Sequence, residues 1–138
     1  DFAASQGWEV LATIEDYCTS GVEPARVMSA PIPAVEMLLQ RNGLNVLDVD
    51  VYEHNEAFAS ASCAVAQEVG IPEDRFNLHG GAVSLGHPLG ASGTRCLITM
   101  LGVMRRLDAA SGIVTLCLGG GNAVAMYVKR PTSSRKKL

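Results

Sequence analysis

Between Asn55 and Val69 the chain is rich in alanine, with Phe58, Cys63 and Val65 spread around what would be one helical cylinder. A helix that is apolar on most faces is stable only where other layers cover it, which excludes a lone surface helix and demands a layered fold. The segment ahead of it shows what one covering layer is. Asp48 to Glu53 reads Asp-Val-Asp-Val-Tyr-Glu, the two-residue alternation of a strand.

The same reasoning places the other elements. Residues 8 to 17 alternate loosely, with Val10, Ala12 and Ile14 on one side, and Gly21 and Pro24 end that strand. Pro31 and Pro33 stand ahead of Val35, Leu38 and Leu39, which share one helical face, and Gly43 falls where the helix should stop. After a loop carrying Pro72, Gly80, Gly81, Gly86, Pro88 and Gly90, Cys96 to Leu107 forms a mostly apolar helix closed by Arg105 and Arg106, cations suited to a helix C-terminus. Ile113 to Cys117 and Val124 to Lys129 are strands around Gly119, Gly120 and Gly121. The expected domain covers residues 1 to 130 as an α/β layer, β-α-β-α-loop-α-β-β, with buried helices on a mixed sheet. Residues 131 to 138 form a polar basic tail containing Arg135, Lys136 and Lys137.

Bulk properties narrow the function. The chain has 138 residues, 48% of them hydrophobic, and a formal charge of -3, which gives no general attraction to nucleic acid or to an anionic membrane surface. Cys18, Cys63, Cys96 and Cys117 contain no C-x-x-C pair, so neither a metal site nor a redox motif is expected. Free thiols fit a reducing, intracellular compartment. No apolar run is long enough to span a membrane, and the first residues lack a signal peptide's layout. Because Asp1 is not an initiator Met, the chain reads as a processed product or a piece of something longer.

Three positions carry candidate chemistry. Asn55 follows a strand end, where open α/β sheets gather reactive groups, although Asn is also a favoured helix N-cap and capping is the stronger reading of the residue alone. His87 is held between Gly86 and Pro88, and a helix N-terminus just beyond it would favour the neutral ring, able to take a proton or to donate to an oxyanion. Satisfaction by loop carbonyls is its structural alternative. His54 and His79 lack such brackets and read as structural. Cys117 ends an apolar strand just before the three glycines, whose N–H groups can stabilise a thioester oxygen; by itself a buried Cys reads as packing. The glycine run lacks the third small residue of a dinucleotide fingerprint.

Taken together, Asn55-Glu56-Ala57-Phe58, the stretch from Gly80-Gly81 through Gly86-His87-Pro88-Leu89-Gly90-Ala91-Ser92-Gly93, and Cys117-Leu118-Gly119-Gly120-Gly121 resemble three blocks of the thiolase family, in order and spacing. The likeness runs from about Val10 to Lys129 and implies a C-terminal thiolase domain that works on coenzyme A thioesters, with no covalently bound cofactor and no metal. In that family one Cys takes up an acyl group and a second moves a proton at the α-carbon, for thiolytic cleavage of a 3-ketoacyl-CoA or Claisen condensation of acetyl-CoA. By motif Cys117 is the acid/base thiol, His87 activates the nucleophile and forms an oxyanion hole with a water held by Asn55, and the Gly119 amide serves a second hole. Gly86 and Phe58 border the substrate, with a core role for Phe58 as the alternative.

The family's nucleophilic Cys and most of its CoA-binding loop belong to the N-terminal half, and no segment here matches that block. The resemblance therefore implies a partner half, from the same gene or a separate subunit, in a homo- or hetero-oligomer that is cytoplasmic, mitochondrial or peroxisomal. Lys136-Lys137-Leu138 faintly resembles a peroxisomal address. Two departures stand out: Asn122-Ala123 replaces the family's more common Met-Gly or Gln-Gly, and His54 occupies a position usually held by a small residue. The rival readings are a non-catalytic thiolase-like binding module and a stand-alone cysteine hydrolase. The hydrolase is disfavoured because Cys117 lacks a strand-turn-helix elbow.

Overall fold

The computed structural model describes residues 2 to 131, so the tail expected beyond Pro131 lies outside the described residues. The elements in chain order are α1 (Phe2–Ser5), β1 (Thr13–Gly21), α2 (Pro31–Arg41), β2 (Val51–His54), α3 (Ala59–Val69), α4 (Ala82–Leu85), α5 (Ser92–Leu107), β3 (Ser111–Leu118) and β4 (Asn122–Lys129). The four strands form one sheet in the order β1-β4-β3-β2. Only β2 and β3 run parallel; the other two pairings are antiparallel, so the sheet is mixed as expected.

Two-residue periodicity sorts the strand side chains onto opposite faces. Ala123, Ala125 and Tyr127 of β4, Ile113 of β3 and Tyr52 of β2 join one core with Val35 and Leu38 of α2 and Val65 of α3. Val128, Val114 and Val51 join a second core with Cys96, Met100, Val103 and Met104 of α5. Helices therefore lie on both faces. Gly112 allows α5 to approach β3 closely, since a Cβ there would stand 2.5 Å from the Met100 sulfur. The α3 helix buries Ala61, Ser62 and Val65 and stops at Gly70, whose φ of 77° is a left-handed cap.

Two boundaries move from their expected positions. The first strand begins at Thr13 instead of Trp8, because its partner β4 ends at Lys129, opposite Thr13, and a strand upstream would have no ladder to join. The helix after β2 begins at Ala59 and not at Asn55, for a reason that lies in the site.

Candidate active site

The parallel pairing of β2 with β3 brings their carboxyl ends together, His54 opposite Thr115. Just past β2, Asn55 N–H donates to Thr115 O at 3.2 Å, which fixes the loop beside a residue two positions before Cys117. The next residue, Glu56, has a φ of 59° and turns the chain out of the sheet before α3 can start. Its carboxylate accepts from Asn77 Nδ2 at 2.8 Å and from Val83 N–H at 3.3 Å. Asn55 O accepts from Ala82 N–H at 2.9 Å, and a Cβ on Gly81 would collide with the Glu56 carboxyl group. These contacts tie the loop that carries His87 to the loop that carries Asn55.

Asn55 is wholly buried, and it does not cap α3, whose N-cap is Phe58. Its Oδ1 accepts from Arg95 Nη2 at 2.9 Å and faces Cys96 Sγ at 3.6 Å. Its Nδ2 lies 3.2 Å from His87 Nε2 and 3.3 Å from Nδ1. The partners of His87 are thus this amide and a hydroxyl, in place of the loop carbonyls of the structural alternative. Its Nδ1 is 2.6 Å from Ser92 Oγ, and Ser92 Oγ donates to Pro88 O at 3.1 Å. A hydroxyl has one proton to give, so with that proton on Pro88 the neutral ring carries its own on Nδ1. Nε2 keeps a lone pair on the side of the site.

Cys117 stands near the carboxyl end of β3, half-buried, and burial pushes its thiol above the ordinary range while a backbone hydrogen bond opposes the rise. Beyond it Gly120 and Gly121 adopt φ of 78° and 92°. At Gly121 a Cβ would strike Val22 O, and Val22 N–H donates to Gly121 O at 2.8 Å, so the turn is fastened to the segment after β1. Gly119, by contrast, has open space where a Cβ would be. Gly86 leaves α4 with a φ of 89° and is likewise open. Phe58 is 60% exposed, so it takes no part in this domain's core.

Further back on β2 the buried polar groups divide between the faces. Burial pushes the Glu53 carboxyl up to about 8, against the pull of Arg95 and with a smaller push from Glu56. It also pushes the neighbouring Cys96 thiol up to about 11. On the other face burial lowers the His54 ring to about 4, where Nδ1 lies 2.7 Å from Ser62 Oγ. His79 is exposed and takes a 3.3 Å contact from Arg106 Nη1. Among the described residues no group of His, Cys, Asp or Glu side chains could hold a metal ion, and no helix is long and apolar enough to cross a membrane.

Sequence reasoning did not assign roles to Glu56, Asn77, Ser92 or Arg95. A signal existed for two of them. Ser92 and Arg95 are polar residues three apart in the first turn of a mostly apolar helix, so they share a face and need partners.

Residues 8–130 match the family model described as thiolase, C-terminal domain. The acetyl-CoA acetyltransferase of Escherichia coli (strain K12) is 44% identical over 128 residues, covering 93% of this chain and 32% of that protein. The cytosolic acetyl-CoA acetyltransferase of Rattus norvegicus gives the same identity, with the same coverage of each chain. Human mitochondrial 3-ketoacyl-CoA thiolase superposes with a TM-score of 0.91 at 34% identity, covering 95% of this chain and 33% of that one. The chain spans about a third of the length of the relatives it matches.

Proposed function

The chain belongs to the thiolase family as its C-terminal domain, and from that premise we propose that it supplies the acid/base and oxyanion half of a CoA-dependent acyl transfer. A partner N-terminal half supplies the nucleophilic thiol. His87 Nε2 takes the proton of that thiol as its sulfur attacks the thioester carbonyl, and CoA sulfur leaves with a proton returned by the ring. The charge that grows on the carbonyl oxygen is met by His87 and by a water held on Asn55 Nδ2. Cys117 then moves a proton at the α-carbon, and the Gly119 amide meets the enolate oxygen. The raised thiol suits this step, because a weakly acidic C–H is matched better by a thiol/thiolate couple than by a carboxylate. Phe58 and Gly86 border the acyl group.

One observation carries this reading: Asn55 Nδ2 sits 3.2 Å from His87 Nε2 although the residues are 32 apart in sequence. An apolar groove of about 350 Å³ between α5 and the sheet, walled by Tyr17, Leu97, Val114, Leu116 and Met126, is a surface for the partner half. Homologues named as cytosolic and mitochondrial support an intracellular setting. The test is to combine the chain with a thiolase N-terminal half and measure CoA-dependent cleavage of an acetoacetyl thioester. Restored cleavage that disappears with Cys117→Ala or His87→Ala supports the proposal. Cleavage indifferent to both substitutions leaves only a binding module.

A further inference from the structure

We propose that Arg95 is a positioning residue for this site, fixing which end of the Asn55 amide faces His87. The inference rests on the acyl-transfer reading and deepens it. The two ends of an Asn amide have almost the same shape, so packing cannot choose between them; only hydrogen bonds can. Arg95 has donors and no acceptor, and Nη2 reaches both Asn55 Oδ1 at 2.9 Å and Asn55 O at 3.4 Å. A flipped amide would instead set Nδ2 against that donor, two donors facing each other in a wholly buried group.

Arg95 Nε and Nη1 are buried with no hydrogen-bond partner, and so are both carboxyl oxygens of Glu53, a residue with no exposed surface. Burial raises that carboxyl to about 8, so it is largely protonated at neutral pH and does not anchor the guanidinium by charge; Arg95 keeps its place through its two contacts to Asn55. Arg95 also lies one helical turn beyond Ser92, so the first turn of α5 governs His87 through Ser92 and Asn55 through Arg95.

The test uses the chain combined with a thiolase N-terminal half and compares Arg95→Met, Arg95→Lys and the double variant Glu53→Gln with Arg95→Met, which leaves no unbalanced buried acid. Arg95→Met should lower kcat for acetoacetyl thioester cleavage by roughly tenfold or more with KM within about twofold, and Arg95→Lys should recover most of it. The double variant should keep the kcat loss. A kcat within twofold of wild type in either methionine variant overturns the proposal. So does a loss carried entirely by KM, or a pattern in which both methionine variants fail to fold. Should the unsubstituted pair be inactive, the acyl-transfer reading itself fails, an outcome distinct from all of these.

Discussion

The two halves of the site are built in opposite ways. At the carboxyl end of β2, Asn55 and His87 are held by hydrogen bonds with β3, α4 and α5, and Asn77 braces the adjoining Glu56 turn, with Asn55 wholly buried. At the carboxyl end of β3, Cys117 is a half-buried thiol paired through its backbone with Ala123 of β4, with Gly119 open beside it and the turn beyond fastened by Gly121 to Val22. In the proposed acyl transfer, a group that presents one fixed dipole gains from being over-determined, whereas a thiol that reaches an α-carbon and gives up a proton gains from a less crowded setting.

The sharpest way to break that contrast is to remove one residue from each half. Asn55→Ala and Cys117→Ala should each lower kcat of the reconstituted enzyme by about 10³-fold. Only Asn55→Ala should also lower the thermal midpoint, since it alone strands the Arg95 donors; equal midpoints in a melting curve would dissolve the distinction. Next in size is a pH effect confined to the braced half. The native His54 ring stays neutral down to about 4 while the unfolded ring binds a proton near its ordinary 6.5. On this residue the unfolded state therefore holds more protons between those values, so His54's own contribution is lost as pH falls through that window, by about 3 kcal/mol, while the buried Glu53 carboxyl, raised to about 8, acts in the opposite sense. The stability difference between His54→Asn and the unsubstituted protein in urea unfolding should therefore change by about that amount between pH 6.5 and about 4, and a difference independent of pH would refute the assignment.

Smaller effects separate the glycines and the serine. Gly121→Ala, at a positive φ and against Val22 O, should cost about 2 kcal/mol in denaturant unfolding. Gly119→Ala should change stability by less than about 0.5 kcal/mol and still impair turnover, if its amide faces the acyl oxygen. Finally, Ser92→Ala frees Nδ1 of His87 from its acceptor and should lower kcat by roughly tenfold, with the ring's tautomer shift readable by nitrogen NMR.

Much of the site was legible before any coordinates. Glycine and proline around His87, a strand before Asn55 and a glycine run after Cys117 are local signals, and local signals survive in one dimension. The misplaced first strand and the late start of α3 share one physical cause. Val10, Ala12 and Ile14 alternate well enough for a strand, yet a strand exists only where a partner's ladder reaches it. Asn55 to Phe58 has helical composition, yet Glu56 at a φ of 59° is held there by Asn77 and Val83, residues more than twenty positions away.

The amino-acid order alone determined the main strands and long helices, the mixed sheet and the candidate site residues, because periodicity and turn chemistry depend on near neighbours. Tertiary structure alone decided which end of the Asn55 amide points at His87, which ring nitrogen is free, and that Glu53 and Arg95 share one buried face. Each of those depends on donors and charges brought together by the parallel pairing of β2 with β3 and by the first turn of α5, and such meetings have no signature in spacing along the chain.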